Sequence, residues 1–197
     1  MSTALAEQIA ATAARLVVEE GLDYGPAKRR AVQVLGVNVR SASLPDNQLV
    51  ENEVRDYLAL FCADTQPAEL AALRGVALDW MQRLAAFRPH LCGAVWRGTA
   101  TRLNNVHLQL YCDDSKEAEL GLINLGVPYD VGATAGPRGD TVDVLSLSAH
   151  SPALGEPVTV HLTVLDHDDL RGALKPDAGG RTQRGDLAAL RKLMEAE

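Results

Sequence analysis

Apolar residues recur at steps of three and four through about the first ninety positions, which is the periodicity of amphipathic helices. One such stripe stops at Gly21 and consists of Leu5, Ile9, Ala13, Leu16 and Val17. Asp23 can cap a second helix, which has Pro26 near its start and ends at Gly36. The pattern therefore predicts a helical hairpin at the start of the chain.

The segment from Asn38 to Asp46 contains turn residues and no such periodicity, which predicts a linker. Two longer helices are predicted after it, at about 47–62 and 67–86, because apolar positions again recur at helical spacing. The segment Phe87-Arg88-Pro89 then ends the helical part of the chain.

Beyond Pro89, apolar and polar positions alternate and β-branched residues increase, which is typical of strands. The first two strands, Leu91–Arg97 and Asn105–Tyr111, are predicted to pair as an antiparallel hairpin because the segment between them is too short for a helix. Later elements are a helix at Asp113–Leu125, strands at about 127–134, 141–148 and 157–165, and a closing helix at Asp186–Met194. The predicted fold class is α+β, with an N-terminal helical bundle (1–88) followed by a mixed β-sheet with flanking helices (89–197).

The 197 residues carry 19 Lys and Arg against 26 Asp and Glu, a net charge of −7. This acidity argues against a broad surface for DNA or an anionic membrane. The N-terminus lacks the basic start and apolar block of a signal peptide, and no apolar run reaches the roughly 20 residues that span a bilayer. We therefore expect a cytoplasmic protein with neither a DNA nor a membrane partner.

The three cysteines, Cys62, Cys92 and Cys112, are widely spaced and form no CxxC motif. Neither a disulfide framework nor a structural zinc site is indicated, so buried free thiols are expected. The segment Asp166–Asp169 resembles a ligand cluster, but helix capping and a solvated turn explain it more simply. Asp113-Asp114-Ser115 indicates a helix start, whose free N–H groups could hold an anion only if the acids pointed away, and we favour the cap. Ser146, Ser148, His150 and Ser151 lie near one another in the sequence but have no identifiable orienting acid, which argues against a hydrolase.

The segment from Leu91 to Leu110 resembles the opening of a polymerase-β-type nucleotidyltransferase domain. That superfamily has a strand ending in Gly-Ser or Gly-Gly, then a strand carrying Asp-x-Asp, and a later strand carrying a third carboxylate. Gly98-Thr99 matches the first element, and Asn105-Val106-His107-Leu108 occupies the place of Asp-x-Asp without either acid. The resemblance covers about residues 91–166 and implies a nucleotidyltransferase-like sheet.

The whole-chain pattern is also similar to a group of small proteobacterial proteins, some of which carry a name implying UDP-N-acetylmuramate–alanine ligase activity. The matching segments are EEGLDYGPAKRRA, LPDN, FRPHLCGAVWRGTAT, HLQLYCDD and GVPYDV. A ligase of that type needs an ATP-binding GxxxxGK[ST] loop, which the sequence lacks, and a chain more than twice as long. The residues therefore give the ligase name no support.

Nucleotidyl transfer by the resembled fold requires Mg²⁺ ions held between carboxylates, and an Asn amide with an imidazole cannot replace the missing negative charge. The later strand, Val158–Val164, carries His161 and no acid at its outward positions. We expect no resident cofactor and no metal, and a candidate pocket formed by Gly98, Thr99, Asn105, His107 and His161.

Two different roles remain open for His107 and His161. If their strands are neighbours, the imidazoles could approach each other and bind a softer metal such as Zn²⁺ or Ni²⁺. The simpler interpretation, which we favour, is local hydrogen bonding or solvation.

Two groups of basic residues could contact phosphates. Lys28-Arg29-Arg30 would do so if the first two helices formed a helix-turn-helix, but a solvated face of an amphipathic helix is the favoured interpretation. A second group surrounds the loop Pro176–Gly180 and consists of Arg171, Lys175, Arg181, Arg184, Arg191 and Lys192. This loop suits an anion or nucleotide contact, and its Pro and Gly residues also suit an ordinary connector.

These observations favour a non-catalytic nucleotidyltransferase-like protein that binds a nucleotide, a nucleic-acid end or a protein partner, rather than an enzyme. One alternative is an active nucleotidyltransferase that holds Mg²⁺ on Asp113, Asp143 or Asp166, which then converge in one cleft with Gly98. A second alternative is a DNA-binding regulator led by the N-terminal helices. The oligomeric state is left open.

Overall fold

The computed structural model describes residues 3–38, 44–177 and 179–196. Its α-helices are α1 (Thr3–Glu20), α2 (Tyr24–Leu35), α3 (Asn47–Phe61), α4 (Gln66–Arg83), α5 (Gly93–Arg97), α6 (Lys116–Asn124) and α7 (Leu187–Glu195). The strands are β1 (His90–Cys92), β2 (Val106–Cys112), β3 (Asp130–Ala135), β4 (Thr141–Ser151), β5 (Glu156–Asp166) and β6 (Arg184–Gly185). Short 3-10 helices lie at Ala85–Phe87 and His167–Leu170. The predicted α+β class is confirmed, while part of the predicted linker, 39–43, lies outside the described residues.

The chain divides into two compact units, and the division differs from the predicted boundary near residue 88. Unit 1 comprises Met1–Ala68 and Thr99–Asn104, and unit 2 comprises Glu69–Gly98 and Asn105–Glu197. The division therefore falls inside α4 rather than after it, and the segment Thr99–Asn104 returns to unit 1.

Unit 1 is organised around α1, which packs against both α2 and α3. The predicted stripe on α1 is buried at Ile9, Ala13, Leu16 and Val17, together with apolar residues of the other two helices. Gly36 ends α2 in the left-handed conformation, as a helix stop of this kind requires. The segment Thr99–Asn104 is held by Gln66, whose Nε2 donates to the carbonyl oxygen of Ala100 at 2.9 Å.

Unit 2 is built on a six-stranded sheet with the order β3-β4-β5-β2-β1-β6. The neighbours pair antiparallel except β2 and β5, which run parallel with Val106 opposite Val160 and Cys112 opposite Asp166. Side chains alternate between the two faces of each strand. One face is apolar and buried, for example at Leu108, Leu147 and Leu162.

The other face of the central strands is polar and partly exposed. In β2 it carries the half-buried His107 and Gln109 and the fully buried Tyr111, and in β5 it carries the half-buried Thr159, His161 and Thr163. A polar sheet face that solvent reaches is available to a ligand, because its hydrogen-bonding groups are not consumed by a hydrophobic core.

The predicted strand Leu91–Arg97 is wrong over most of its length. Only His90–Cys92 pairs with β2, antiparallel as predicted, and the chain then turns at Gly93 (φ +73°) into the short helix α5. The apolar run that follows Leu91 is short, and a short apolar run does not distinguish a strand from a buried helix. The remaining predicted elements are present with boundaries shifted by a few residues.

No helix within the described part of the chain is both long enough and apolar enough to cross a membrane.

Candidate functional site

The two histidines singled out from the sequence lie side by side on the polar face of the sheet. His107 on β2 and His161 on β5 are register partners, and their ring centroids are 5.0 Å apart with the planes tilted by 30°. Asn105 Nδ2 lies 3.2 Å from His161 Nε2, and Ser146 Oγ on β4 lies 2.8 Å from His161 Nδ1. We call Asn105, His107, Ser146 and His161 the histidine row.

The hydrogen bonds of His161 define what this row can do chemically. With the Asn105 amide nitrogen oriented to donate to Nε2, the ring proton is assigned to Nδ1, which then donates to the Ser146 hydroxyl oxygen. In this tautomer the imidazole does not accept the serine proton, so Ser146 is not activated as a nucleophile. The row is therefore a set of oriented hydrogen-bonding groups with no carboxylate among its four members.

A carboxylate enters this row only at the edge of the sheet. Asp130 on β3 is the register partner of Ser146 and lies two strands from His161, roughly 10 Å at the usual strand spacing. Across the described residues, no three His, Cys, Asp or Glu side chains form a group that could hold a metal ion.

The contacts that the structure gives for Gly98 and Thr99 do not include the histidine row. Gly98 is the left-handed C-cap of α5 (φ +81°), and a Cβ there would lie 3.5 Å from Arg74 Nη2. Thr99 belongs to unit 1, where its side chain is buried. The glycine beside the histidine row is Gly93, where a Cβ would lie 3.7 Å from His107 Cδ2. Sequence reasoning missed Gly93 because the segment 91–97 was interpreted as a strand.

Farther along the same polar face, a cavity of about 500 Å³ opens over β2 and β5. It is lined by Gln109, Tyr111, Thr134, Ala135, Gly136, Pro137, Thr163, Leu165, Asp169, Arg171, Gly172, Ala173 and Arg184. We call it the arginine cavity, after Arg171 and Arg184. Both belong to the basic group that the sequence placed around the loop Pro176–Gly180. Gln109 and Thr163 lie two residues beyond His107 and His161 on their strands, so the cavity adjoins the histidine row.

Arg184 is held by two polar groups on β2. Its Nη1 donates to Gln109 Oε1 at 2.8 Å and to the Tyr111 hydroxyl at 3.3 Å, while that hydroxyl donates to Gln109 Oε1 at 3.0 Å. Burial raises the pKa of Tyr111 above its ordinary value, and the nearby Arg184 only partly opposes this effect. Tyr111 therefore stays neutral at physiological pH and leaves the charge of Arg184 uncompensated.

A second cavity, of about 450 Å³, lies at the carboxyl ends of β2 and β5. It is lined by Cys112, Asp113, Asp114, Ser115, Asp140, Thr141, Val142, Asp143, Val164, Leu165 and Asp166. We call it the aspartate cavity. It contains Asp113, Asp143 and Asp166, which the alternative of an active enzyme requires in one cleft, but Gly98 is not among its lining residues.

Several of these carboxylates already have partners. Asp166 is the N-cap of the 3-10 helix His167–Leu170, and its Oδ1 accepts from Asp168 N at 2.8 Å, which confirms its predicted capping role. The predicted cap at Asp113 or Asp114 is wrong, because the N-cap position of α6 is Ser115, although Asp114 Oδ1 accepts from Lys116 N at 2.9 Å in the turn before the helix. Asp113 lies 3.5 Å from Arg88 Nη2 and 3.9 Å from His167 Nδ1. These contacts give the carboxylates structural roles.

The cysteines of unit 2 are poor nucleophiles. Burial raises the pKa of both Cys92 and Cys112 to about 11, so each is a neutral thiol at physiological pH. None of Cys62, Cys92 and Cys112 forms a disulfide.

The basic run on α2 makes contacts within unit 1. Lys28 Nζ donates to Pro45 O at 3.0 Å and to Asn47 Oδ1 at 2.9 Å, and Arg30 Nη1 lies 2.9 Å from Glu20 Oε2. Two of the three cations are thus engaged in structure, which reduces what this run can contribute to phosphate binding.

Comparison with protein-family models, with curated proteins and with solved structures gave no match. The class that the fold and the sites define is an α+β protein with a polar sheet face, on which a row of histidine, asparagine and serine side chains adjoins a cavity lined by two arginines.

Proposed function

We propose that unit 2 binds a nucleotide on the polar face of its sheet and does not transfer the nucleotidyl group. The observation that carries this proposal is the pairing of His107 and His161, whose rings stand 5.0 Å apart beside a cavity lined by two arginines. Imidazole rings can stack against a base, and arginine side chains are well suited to phosphate groups.

The absence of nucleotidyl transfer follows from the lack of carboxylates in the histidine row. Metal-assisted transfer needs carboxylates that hold two cations near the reacting phosphate. The register partners His107, His161 and Ser146 are not carboxylates, and Asp130 stands at the far edge of the row. This row can orient a nucleotide by hydrogen bonding and stacking, but it cannot neutralise a developing pyrophosphate.

The proposal is tested by isothermal titration of the full chain with ATP, GTP, CTP and UTP in EDTA and again in Mg²⁺. We expect binding of at least one nucleotide in both conditions. His107→Ala should weaken it by about 1–3 kcal/mol, the usual contribution of one stacking contact to a base. His150→Ala is the matched control, because His150 is exposed on β4 and its register partner is Pro157, four residues before His161 on β5.

Two results would overturn this function. One is the lack of binding of all four nucleotides at millimolar concentration. The other is nucleotide transfer in Mg²⁺ or Mn²⁺ that is abolished by changing Asn105 or His107. If transfer instead depended on Asp113, Asp143 or Asp166, the aspartate cavity would be the active site.

A further inference from the structure

Arg184 carries a positive charge that the described part of the protein does not neutralise. Its side chain is only partly exposed, and both hydrogen bonds that its guanidinium donates leave through Nη1, to Gln109 and Tyr111. Its Nε is buried and has no hydrogen-bond partner among the described residues. No described carboxylate forms an ion pair with it. A partly buried cation without a counter-charge is costly, and an anion in the adjoining cavity would offset the charge of Arg184.

The other charges around the arginine cavity also favour an anion. Arg171 also lines the cavity and forms no ion pair with a described carboxylate. The one carboxylate among the lining residues is Asp169, whose side chain is 7% exposed and whose Oδ1 lies 2.7 Å from Arg138 Nε. That ion pair joins the β3–β4 turn to the 3-10 helix His167–Leu170, and it leaves Arg171 and Arg184 as the surplus charge.

The orientation of the Arg184 guanidinium is fixed, because its Nη1 is held by Gln109 and Tyr111 where the side chain lines the cavity. Its Nε is buried, so a ligand in the cavity would meet the rest of the planar group. A guanidinium held in this way suits an oxyanion, namely a phosphate or a carboxylate. The proximity of the histidine row favours phosphate, since two residues along β2 and β5 separate the row from the cavity by roughly 7 Å.

We infer that the arginine cavity holds a phosphate group, bound through Arg184 and Arg171, and that this phosphate belongs to the nucleotide whose base lies on the histidine row. The second part rests on the proposed function. The first part is independent of it, because it follows from the uncompensated arginines alone.

The test measures the affinity of four nucleoside monophosphates, of the four matching nucleosides, and of inorganic phosphate and acetate, all at constant ionic strength. We expect each monophosphate that binds to do so at least about tenfold more tightly than its nucleoside, since a charge-assisted hydrogen bond contributes about that factor. In Arg184→Gln this preference should disappear. Arg171→Gln should reduce it, and Arg191→Gln on α7 is the matched control, because Arg191 is exposed and does not line the cavity.

The outcomes separate the phosphate site from the nucleotide function. Inorganic phosphate binding that needs Arg184, without any nucleotide binding, would support the site and overturn the function. Nucleotide binding whose phosphate preference survives in both Arg184→Gln and Arg171→Gln would overturn the site and leave the function standing. Acetate binding as tightly as phosphate would overturn the assignment to phosphate. If Arg184→Gln does not fold, Arg171→Gln and Arg184→Lys, which keeps the charge but loses the planar edge, decide the question.

Discussion

The arginine cavity and the aspartate cavity lie at the same end of the sheet and have similar volumes, about 500 and 450 Å³. They differ in how far the charged side chains that line them have partners within the protein. Asp114 and Asp166 in the aspartate cavity accept hydrogen bonds from backbone N–H groups at the starts of helical turns. In the arginine cavity, Arg184 is oriented by neutral groups and keeps a buried donor unpaired.

The difference shows that the number of charges is a poor guide to a site. The aspartate cavity has more charged residues, yet its caps explain their presence without a ligand. The arginine cavity has fewer, and the protein itself leaves them uncompensated.

The largest effect is expected from Gly185→Ala, which disturbs the strand that carries Arg184. A Cβ on Gly185 would overlap the indole ring of Trp96, whose Nε1 donates to Thr182 O at 2.8 Å. Overpacking of this kind costs about 1–3 kcal/mol of the free energy of unfolding. We also expect phosphate binding to be lost although Arg184 itself is unchanged, as titration calorimetry and chemical denaturation will show.

Gly75→Ala is the control for that experiment. Gly75 lies in α4, and a Cβ there meets no atom within 4 Å. Alanine should therefore stabilise the helix by up to about 1 kcal/mol. If Gly185→Ala still bound phosphate, the packing of β6 against Trp96 would be unimportant to the arginine cavity.

A smaller effect is expected from removing a cap in the aspartate cavity. Asp166→Ala loses the bond to Asp168 N, which should lower the free energy of unfolding by about 1 kcal/mol while phosphate binding is unchanged. Asp143→Asn removes a carboxylate of the same cavity that caps no helix, so a change of at most about 0.5 kcal/mol is expected. If Mg²⁺ raised the Tm of the wild type but not that of Asp166→Ala, the aspartate cavity would be a metal site and the contrast would fail.

The smallest effect concerns Asp177, in the loop that leads from Arg171 to Arg184. Hydrogen bonds from the backbone N–H groups of Arg181 and Gly179 hold the pKa of this carboxyl below its ordinary value. A lowered pKa means that the carboxylate stabilises the loop above the ordinary Asp pKa of about 3.9, and that this contribution is lost as the pH falls through the lower folded value.

NMR will test this by following the amide shifts of Gly179 and Arg181 during acid titration. We expect one transition below pH of about 3.9, and its absence in Asp177→Asn. A midpoint at or above the ordinary value would show that the loop does not hold the carboxylate in its charged form.

Much of the fold could be predicted because its long elements follow one period each. The stripe from Leu5 to Val17 and the alternation in β2 and β5 both reflect burial of one side of the element. The segment 91–97 could not be assigned, because its apolar run is compatible with either structure and Gly93 adopts a positive φ that no periodicity reveals. The division of the chain inside α4 has no signal in composition, since the helix continues across it.

The candidate site was predictable only as far as strand alternation reaches. Alternation put His107 and His161 on faces where they could meet, but their meeting depends on β2 pairing with β5, and strand order is set by the packing of the whole sheet. Arg184 belongs to the basic group around the loop Pro176–Gly180, but the sequence does not show which member of that group lines the cavity. The position of Arg184 depends on β6, which has two residues and no periodic pattern. Gly98 and Thr99 were chosen for a motif, and the structure gives Gly98 the role of ending a helix.

The parallel pairing of β2 with β5 also has a consequence for how the protein is made. The pairs β1–β2, β3–β4 and β4–β5 join strands that are consecutive in the chain, whereas residues 106–112 must wait for 160–166 and residues 91–92 must wait for 184–185. Contacts between such distant segments form slowly, because a long loop must close first. The seam between His107 and His161 and the pairing of β6 with β1 are therefore expected to form after the hairpins, so a chain still on the ribosome cannot bind its ligand until β5 and then Arg184 have emerged.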